Sequence, residues 1–258
     1  MIVDETYLRE IKERVRAHVF DKQGSMLPFC SDKDLLVDVF ISKTIASGLN
    51  TDAAVDQWLK ERLRCVNLLS RMVPLNSVER WKIDEATGNI AHESGRFFSI
   101  HGLSVRHRRP QGELIWDQPI IDQPEIGILG ILAKKFKGIL HFCLQAKEEP
   151  GNIHSIQLSP TVQATYSNYS QAHGGTLPPL VEYFLAPLPE QVLFAKLQTE
   201  DGGRFLFKSN RNMIVLADEN IPVQPDRFIW LTLHQISDLL KRDNVINACT
   251  RSVLAALI

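Results

Sequence analysis

The spacing of apolar positions changes character twice along this chain. In the first third, Leu35, Leu36, Val39 and Phe40 fall on one side of a helical wheel, and Gly48 is placed to end that segment. Thr51 can cap a second helix whose apolar positions are Val55, Trp58, Leu59, Val66 and Leu69, with Pro74 as its stop. From Trp81 the runs shorten and read as strands, first at 97–102 and 103–105. The apolar runs 126–133 and 139–144 flank a lysine-rich turn that holds Gly138, which predicts a buried hairpin. Further strands are predicted at 155–164 (interrupted by Pro160), 181–185 and 213–216. A hairpin is predicted for 192–197 and 204–208 across Glu200-Asp201-Gly202-Gly203. The end is helical again: Thr232 and Gln235 have capping-box spacing, and Asp243 or Asn244 caps a last helix bearing Val245, Ala248, Val253 and Leu257. Strands gathered in the middle with helices at both ends predict an α+β fold. Residues 1–80 form a helical segment packed on a core domain of 81–258, in one structural unit.

Composition narrows the function classes. With 44% hydrophobic residues in 258, the chain can bury a large core. A net charge of −1, from 29 basic and 30 acidic residues, gives no basic excess for nucleic acid. The one dense basic cluster, Arg106-His107-Arg108-Arg109, reads as a solvated hairpin end or as an anion contact. No long apolar span or signal segment is visible, so the expectation is a cytoplasmic protein with no membrane partner. The four cysteines lack metal-binding spacing, and Cys65, Cys143 and Cys249 read as reduced core residues.

Candidate chemistry concentrates at 145–175, a stretch dense in amides, hydroxyls, tyrosines and carboxylates directly after an apolar run. Half-buried polar groups of this kind must be hydrogen-bonded, and they suit a polyhydroxylated ligand. Glu148-Glu149-Pro150-Gly151 puts two carboxylates at a strand end, one facing inward and one outward. An inward carboxylate can serve as general base or acid. His173 offers an imidazole, and Lys147 or Arg204 could neutralise a phosphate. No dinucleotide fingerprint, phosphate-binding P-loop, zinc-protease helix or nucleophile elbow is present. Redox cofactors, nucleotide-driven work and serine hydrolysis are therefore disfavoured, leaving acid–base chemistry or binding.

Several strings resemble the NDP-hexose 2,3-dehydratase family. They are Ser94-Gly95-Arg96-Phe97-Phe98, Gln123-Pro124-Glu125-Ile126-Gly127-Ile128-Leu129-Gly130 and, most specific, Gln145-Ala146-Lys147-Glu148-Glu149-Pro150-Gly151-Asn152. Gln157-Leu158-Ser159-Pro160-Thr161-Val162-Gln163-Ala164-Thr165, Ser167-Asn168-Tyr169, His173-Gly174-Gly175, Gly203-Arg204-Phe205-Leu206, Asn210-Arg211-Asn212-Met213 and Trp230-Leu231-Thr232-Leu233 continue the likeness. The resemblance implies a Nudix-like mixed sheet flanked by helices. No Nudix box is present, so the metal-chelating glutamates are missing and diphosphate hydrolysis is disfavoured.

The implied activity is loss of water from C2 and C3 of an NDP-4-keto-6-deoxyhexose, with dTDP as the usual carrier and no cofactor or metal. The product would pass to an NADPH-dependent 3-ketoreductase. Glu148 or Glu149 would be base or acid, with His173 as second proton carrier. Gln145 and Lys147 would polarise the C4 carbonyl. Gln157, Ser159, Gln163 and Thr165 would hold sugar hydroxyls or the diphosphate, Ser167, Asn168 and Tyr169 the diphosphate or base, and Arg204 the diphosphate charge. Family chains usually carry two tandem copies of the domain; a single copy here implies a homodimer. The alternative is a non-catalytic sugar-nucleotide-binding subunit of a heteromeric enzyme.

Overall fold

The computed structural model describes residues 4–21, 33–46, 48–170, 176–217, 221 and 225–257. Helices α1 (Glu5–Asp21), α2 (Lys33–Thr44) and α3 (Asp52–Arg64) come first. Strands β1 (Trp81–Ile83), β2 (Ile90–His92), β3 (Ser99–Arg109) and β4 (Gly112–Asp122) then form an antiparallel four-stranded sheet. A seven-stranded sheet follows, from β5 (Gly127–Phe136), β6 (Ile139–Glu148), β7 (Ile156–Pro160), β8 (Val162–Ala164), β9 (Val192–Thr199), β10 (Ser209–Leu216) and β11 (Phe228–Leu231). Short helices α4 (Tyr166–Tyr169) and α5 (Glu182–Leu185) precede β9, and α6 (Leu233–Leu240) and α7 (Ala248–Leu254) close the chain. The α+β class read from the sequence is observed, with helices at both ends. None of the described helices is long and apolar enough to cross a membrane.

The large sheet is covered on both faces, which is why β5 and β6 read as continuous apolar runs. On one face Leu129, Ile131, Leu140, Phe142 and Ile214 pack against α2, α3, α6 and α7 through Val39, Val55, Ile236 and Val253. On the other, Leu132, Cys143, Met213 and Trp230 meet Leu180, Val181 and Phe184. Each such fully buried large side chain contributes about 1.5–3 kcal/mol. Helix α1 docks separately on α2 through Leu8, Val37 and Ile41. The buried Asp38 carboxylate pairs with both Lys12 and Lys135, tying α1, α2 and β5 together.

The sheet forks, and the fork makes the site. Strand β6 pairs with β5 at Leu132–Phe136 only; beyond Cys143 it pairs with β7 instead, while the start of β5 pairs with β8. Thr161 sits between β7 and β8 where the strands part. Its hydroxyl donates to the Cys143 carbonyl at 2.5 Å and accepts from the Leu132 N–H at 2.9 Å. Strand β10 runs parallel to β5 with Asn210 opposite Gly127. The starts of β5 and β10 and the end of β6 therefore share one edge of the core.

Several sequence expectations need correction. The helix begun at Thr51 ends at Arg64, so Val66 and Leu69 lie outside it and Leu69 is exposed. The physical reason is a competing acceptor: the Asn67 and Leu68 N–H groups donate to the Glu148 carboxylate at 3.3 and 2.8 Å. Cys65, the C-cap, is exposed rather than in the core. Phe40 turns partly outward, because α2 buries Val37 and Ile41 toward α1 as well as Val39 toward the sheet. The predicted strands at 97–105 are one longer strand, β3, whose basic end is an exposed ribbon tip beside Glu113. Residues 181–185 form a helical turn after Pro178, a run too short for its period to decide. Residues 204–208 are loop, since Arg204 and Leu206 bond to Ile121 of β4 instead of extending β10. Asn247, not Asp243 or Asn244, caps α7, accepting from Thr250 N–H at 2.8 Å. The Thr232–Gln235 capping box forms with both of its bonds.

Candidate active site

At the forked edge lies a cavity of about 210 Å³, lined by residues from several parts of the chain. Strand β6 contributes Lys147; β8 and the turn after it contribute Gln163, Thr165 and Asn168. The loop after β4 gives Gln123, the β9–β10 loop gives Glu200, Phe205 and Lys208, β10 gives Asn210, and α7 gives Cys249. Alternation on the strands selects these side chains. Gln163 pairs with Leu129 and Asn210 with Gly127, so all point to the α7 face.

A relay of side chains links Lys147 and Glu149 to the cap of α7. The Lys147 ammonium lies 3.1 Å from Glu149, and the same Glu149 oxygen accepts from Gln163 at 2.9 Å. The Gln163 carbonyl accepts from Asn247 at 3.1 Å, and Asn247 also donates to Ser159 at 2.7 Å. Asn247 and Ser159 are buried. The relay therefore runs from a helix cap to a partly exposed carboxylate, which restricts its rotamer and keeps a cation beside it.

A second cation lies deeper. Lys208 is 6% exposed, donates to the Glu125 backbone carbonyl, and has the carboxylates of Glu125 and Glu200 close enough to feel its charge. Burial lowers its ammonium below the ordinary lysine value, although those carboxylates oppose the shift. Asn210 donates to Glu200 and accepts from the Gly127 N–H at 3.2 Å. Burial raises the Cys249 thiol to about 11, helped by Glu200 and Glu149, so at neutral pH it stays protonated. Two lysines and an adjacent carboxylate can remove a proton and stabilise the oxyanion that forms. Among the described residues, no three His, Cys, Asp or Glu gather as a metal site.

Of the residues singled out from sequence, Lys147, Gln163, Thr165 and Asn168 line this cavity, and Glu149 bonds two residues of that group. Glu148 points away, onto the 67–68 backbone. Gln145 is buried between the Pro160 carbonyl and Arg227, Gln157 donates to the Asn244 carbonyl, and Ser159 supports Asn247. Ser167 donates to Glu125 through both its N–H and its hydroxyl. Tyr169 lines a neighbouring cavity, and Arg204 is exposed and paired with Asp201. His173 lies outside the described residues. Sequence reasoning missed Lys208, Glu200 and Asn210 as site residues. Their signal was present: Lys208, Asn210 and Asn212 alternate into the start of a strand that is otherwise core.

Known proteins are similar to this chain over most of its length. The family model described as NDP-hexose 2,3-dehydratase matches residues 52–257. A protein of Amycolatopsis orientalis named dTDP-4-dehydro-6-deoxy-alpha-D-glucopyranose 2,3-dehydratase is 51% identical over 79% of this chain and 44% of its own length. Proteins of the same name from Saccharopolyspora spinosa and Streptomyces violaceoruber are 48% and 44% identical, over 78% and 80% of this chain and 41% and 46% of theirs. The chain thus spans less than half the length of these curated relatives. With the family match covering every residue of the cavity, this chain belongs to the NDP-hexose 2,3-dehydratase family.

Proposed function

We propose that the chain is a hydro-lyase that removes water from C2 and C3 of a dTDP-4-keto-6-deoxyhexose. The observation that carries the reading is the Lys147–Glu149–Gln163 relay on a cavity that also holds the buried Lys208. The C4 ketone acidifies the C3 proton. Glu149 takes that proton, and the electron pair moves into an enolate whose C4 oxygen faces Lys147 and Lys208. The enolate then expels the C2 hydroxyl, which leaves as water after receiving a proton. The resulting C2–C3 enol, still bearing the C3 oxygen, tautomerises to the 3,4-diketone. Electrons balance without a redox partner, so the reaction itself calls for no redox cofactor.

In this reading Gln163 and Asn247 position the base, while Thr165 and Asn168 hold sugar oxygens. A downstream ketoreductase would consume the diketone. We also propose that two chains pair, since the β3–β4 ribbon leaves Leu114, Ile115 and Trp116 exposed. Size-exclusion chromatography with light scattering tests this; a monomer at working concentration would reject it.

The decisive experiment mixes the purified chain with dTDP-4-keto-6-deoxyglucose and traps the diketone with a 3-ketoreductase and NADPH. NADPH consumption that depends on this chain supports the lyase reading. Nucleotide binding without turnover would favour the alternative, a binding subunit that needs a second protein.

A further inference from the structure

The end of β6 carries polar side chains to two different cavities. Lys147 and Glu149 serve the polar cavity described above, while Glu148 turns onto the 67–68 backbone. There a separate cavity of about 520 Å³ opens. Strand pairing explains its place. Strand β11 leaves β6 at Gln145, so the edge of β6 beyond that point is bare on this side, and the turn after α3 comes down on Glu148. Arg62 of α3, Arg227 at the start of β11, Lys147, Glu148, Asn67 and Asp226 all line the space.

The two arginines are held firmly and still have donors to spare. Arg62 Nη1 donates to the Asp226 carbonyl at 2.6 Å, and its guanidinium lies 5.9 Å from the Trp58 ring. Trp58 donates to the Pro225 carbonyl at 2.6 Å, so α3 pins the segment before β11 twice. Arg227 Nη2 donates to Gln145 at 3.2 Å, and its guanidinium lies 5.6 Å from the Phe228 ring. The Arg227 carbonyl accepts from the Ala146 N–H at 2.8 Å, which ties the same segment to β6. Among the described residues neither arginine is in an ion pair. Two guanidinium groups with unused N–H donors on one cavity suit a phosphate.

The same space also offers acceptors. One Glu148 oxygen takes the Asn67 and Leu68 N–H groups, leaving the other without a donor. The Asp226 carboxylate is exposed and has no ion pair among the described residues. Carboxylates repel a second anion but accept from hydroxyls. A ligand that satisfies both halves has a phosphate at one end and hydroxyls at the other. The volume fits such a molecule, since whole small-molecule sites span ~300–1,000 Å³.

We propose that this cavity is a second ligand site, for a phosphorylated polyol of the hexose phosphate class, with the phosphate on Arg62 and Arg227 and the hydroxyls on Glu148 and Asp226. A ligand there would join α3, the start of β11 and the end of β6, the strand that also carries Lys147.

Calorimetry with glucose 6-phosphate, inorganic phosphate and glucose, on the full 258-residue chain and on Arg227→Ala and Arg62→Gln, tests it. Glucose 6-phosphate is expected to bind the parent chain, inorganic phosphate more weakly, and glucose not measurably. Each substitution should weaken glucose 6-phosphate by roughly tenfold or more, the worth of a charge-assisted hydrogen bond. Arg227 is exposed, so Arg227→Ala decides the matter even if Arg62→Gln unfolds, and melting curves show which variants keep the fold. No uptake of glucose 6-phosphate by the parent, or equal affinity in parent and Arg227→Ala, overturns the site. Inorganic phosphate binding as tightly as the ester overturns the polyol assignment. Saturating dTDP should leave the affinity for glucose 6-phosphate unchanged. Its loss would put the hexose phosphate in the reaction cavity and remove the second site. A chain without dehydratase turnover that still binds glucose 6-phosphate through Arg227 keeps the site, because the reaction forms no part of its basis.

Discussion

The two ends of the central sheet each bury an ionisable side chain, and their treatment differs. At the turn end, His141 is fully buried. Its Nε2 accepts from the Leu49 N–H at 2.8 Å and its Nδ1 meets the Ile139 carbonyl at 2.9 Å, so the ring must be neutral with the proton on Nδ1. At the forked end, Lys208 is also buried and also pushed toward its neutral form by burial, but it borders an open cavity and a second lysine. Burial alone therefore does not mark function. A buried ionisable group whose every polar atom is matched by backbone is a clamp; one that faces space with other charges is poised for a ligand.

The sharpest way to break this comparison is at Glu149. Glu149→Gln keeps an acceptor for Gln163 but removes the proposed base, and kcat is expected to fall by about a hundredfold or more, with the melting temperature nearly unchanged. Coupled NADPH consumption with a 3-ketoreductase reads this directly. Turnover within a few-fold of the parent would remove Glu149 from the chemistry.

At the other end the expected effect is on stability. A Cβ on Gly48 would lie 2.1 Å from His141 Nε2 and 2.7 Å from Thr232 Cγ2. Gly48→Ala must therefore push the 48–50 turn off the histidine, at a cost of roughly 1–3 kcal/mol. Urea unfolding should show it, while kcat per folded molecule stays at the parent value. Unchanged stability would mean that the turn is not clamped.

How far the sequence revealed these two ends depends on the kind of signal each carries. Periodicity found the β5–β6 hairpin and the capping box at Thr232, because both are set by residues close in sequence. It extended α3 too far, since the acceptor that draws Asn67 and Leu68 out of the helix is Glu148, about 80 residues away. Part of the candidate site was legible for a similar reason. Lys147, Glu149, Gln163, Thr165 and Asn168 sit in one polar stretch after an apolar strand. Lys208, Glu200 and Asn210 arrive through the parallel pairing of β5 with β10, a long-range contact with no local signature. Amphipathic alternation also could not choose between Glu148 and Glu149, since it says only that the two face opposite ways.

A pH titration of stability sharpens the clamp side further. Burial lowers the His141 pKa below its ordinary value of about 6.5. Above about 6.5 the ring is neutral in both folded and unfolded chains, and its two bonds are kept. As pH falls below that, the unfolded chain takes up a proton that the folded one resists, so stability declines toward the depressed folded value. The slope from this residue is at most about 1.4 kcal/mol per pH unit. Melting curves from about pH 8 to about pH 5, compared between the parent and His141→Gln, isolate the contribution. A parallel decline in both proteins would assign the pH dependence to other groups.

The smallest expected effect is the most discriminating, because it lies one residue from the largest. Glu148 accepts two backbone N–H bonds from the turn after α3, on the far side of β6 from Gln163. Glu148→Gln retains an oxygen for those donors and loses only the charge, so stability should drop by no more than about 1 kcal/mol. Turnover should stay within about twofold of the parent. If Glu148→Gln instead abolished turnover as Glu149→Gln is expected to, with the fold intact, the outward carboxylate would be reaching a reacting substrate. The reaction centre would then have to be moved to the cavity that Glu148 shares with Arg62 and Arg227. Retained activity would fix the face of β6 on which the chemistry occurs, and with it the role of the fork at Thr161: it turns one strand end so that Lys147 and Glu149 meet the start of β10.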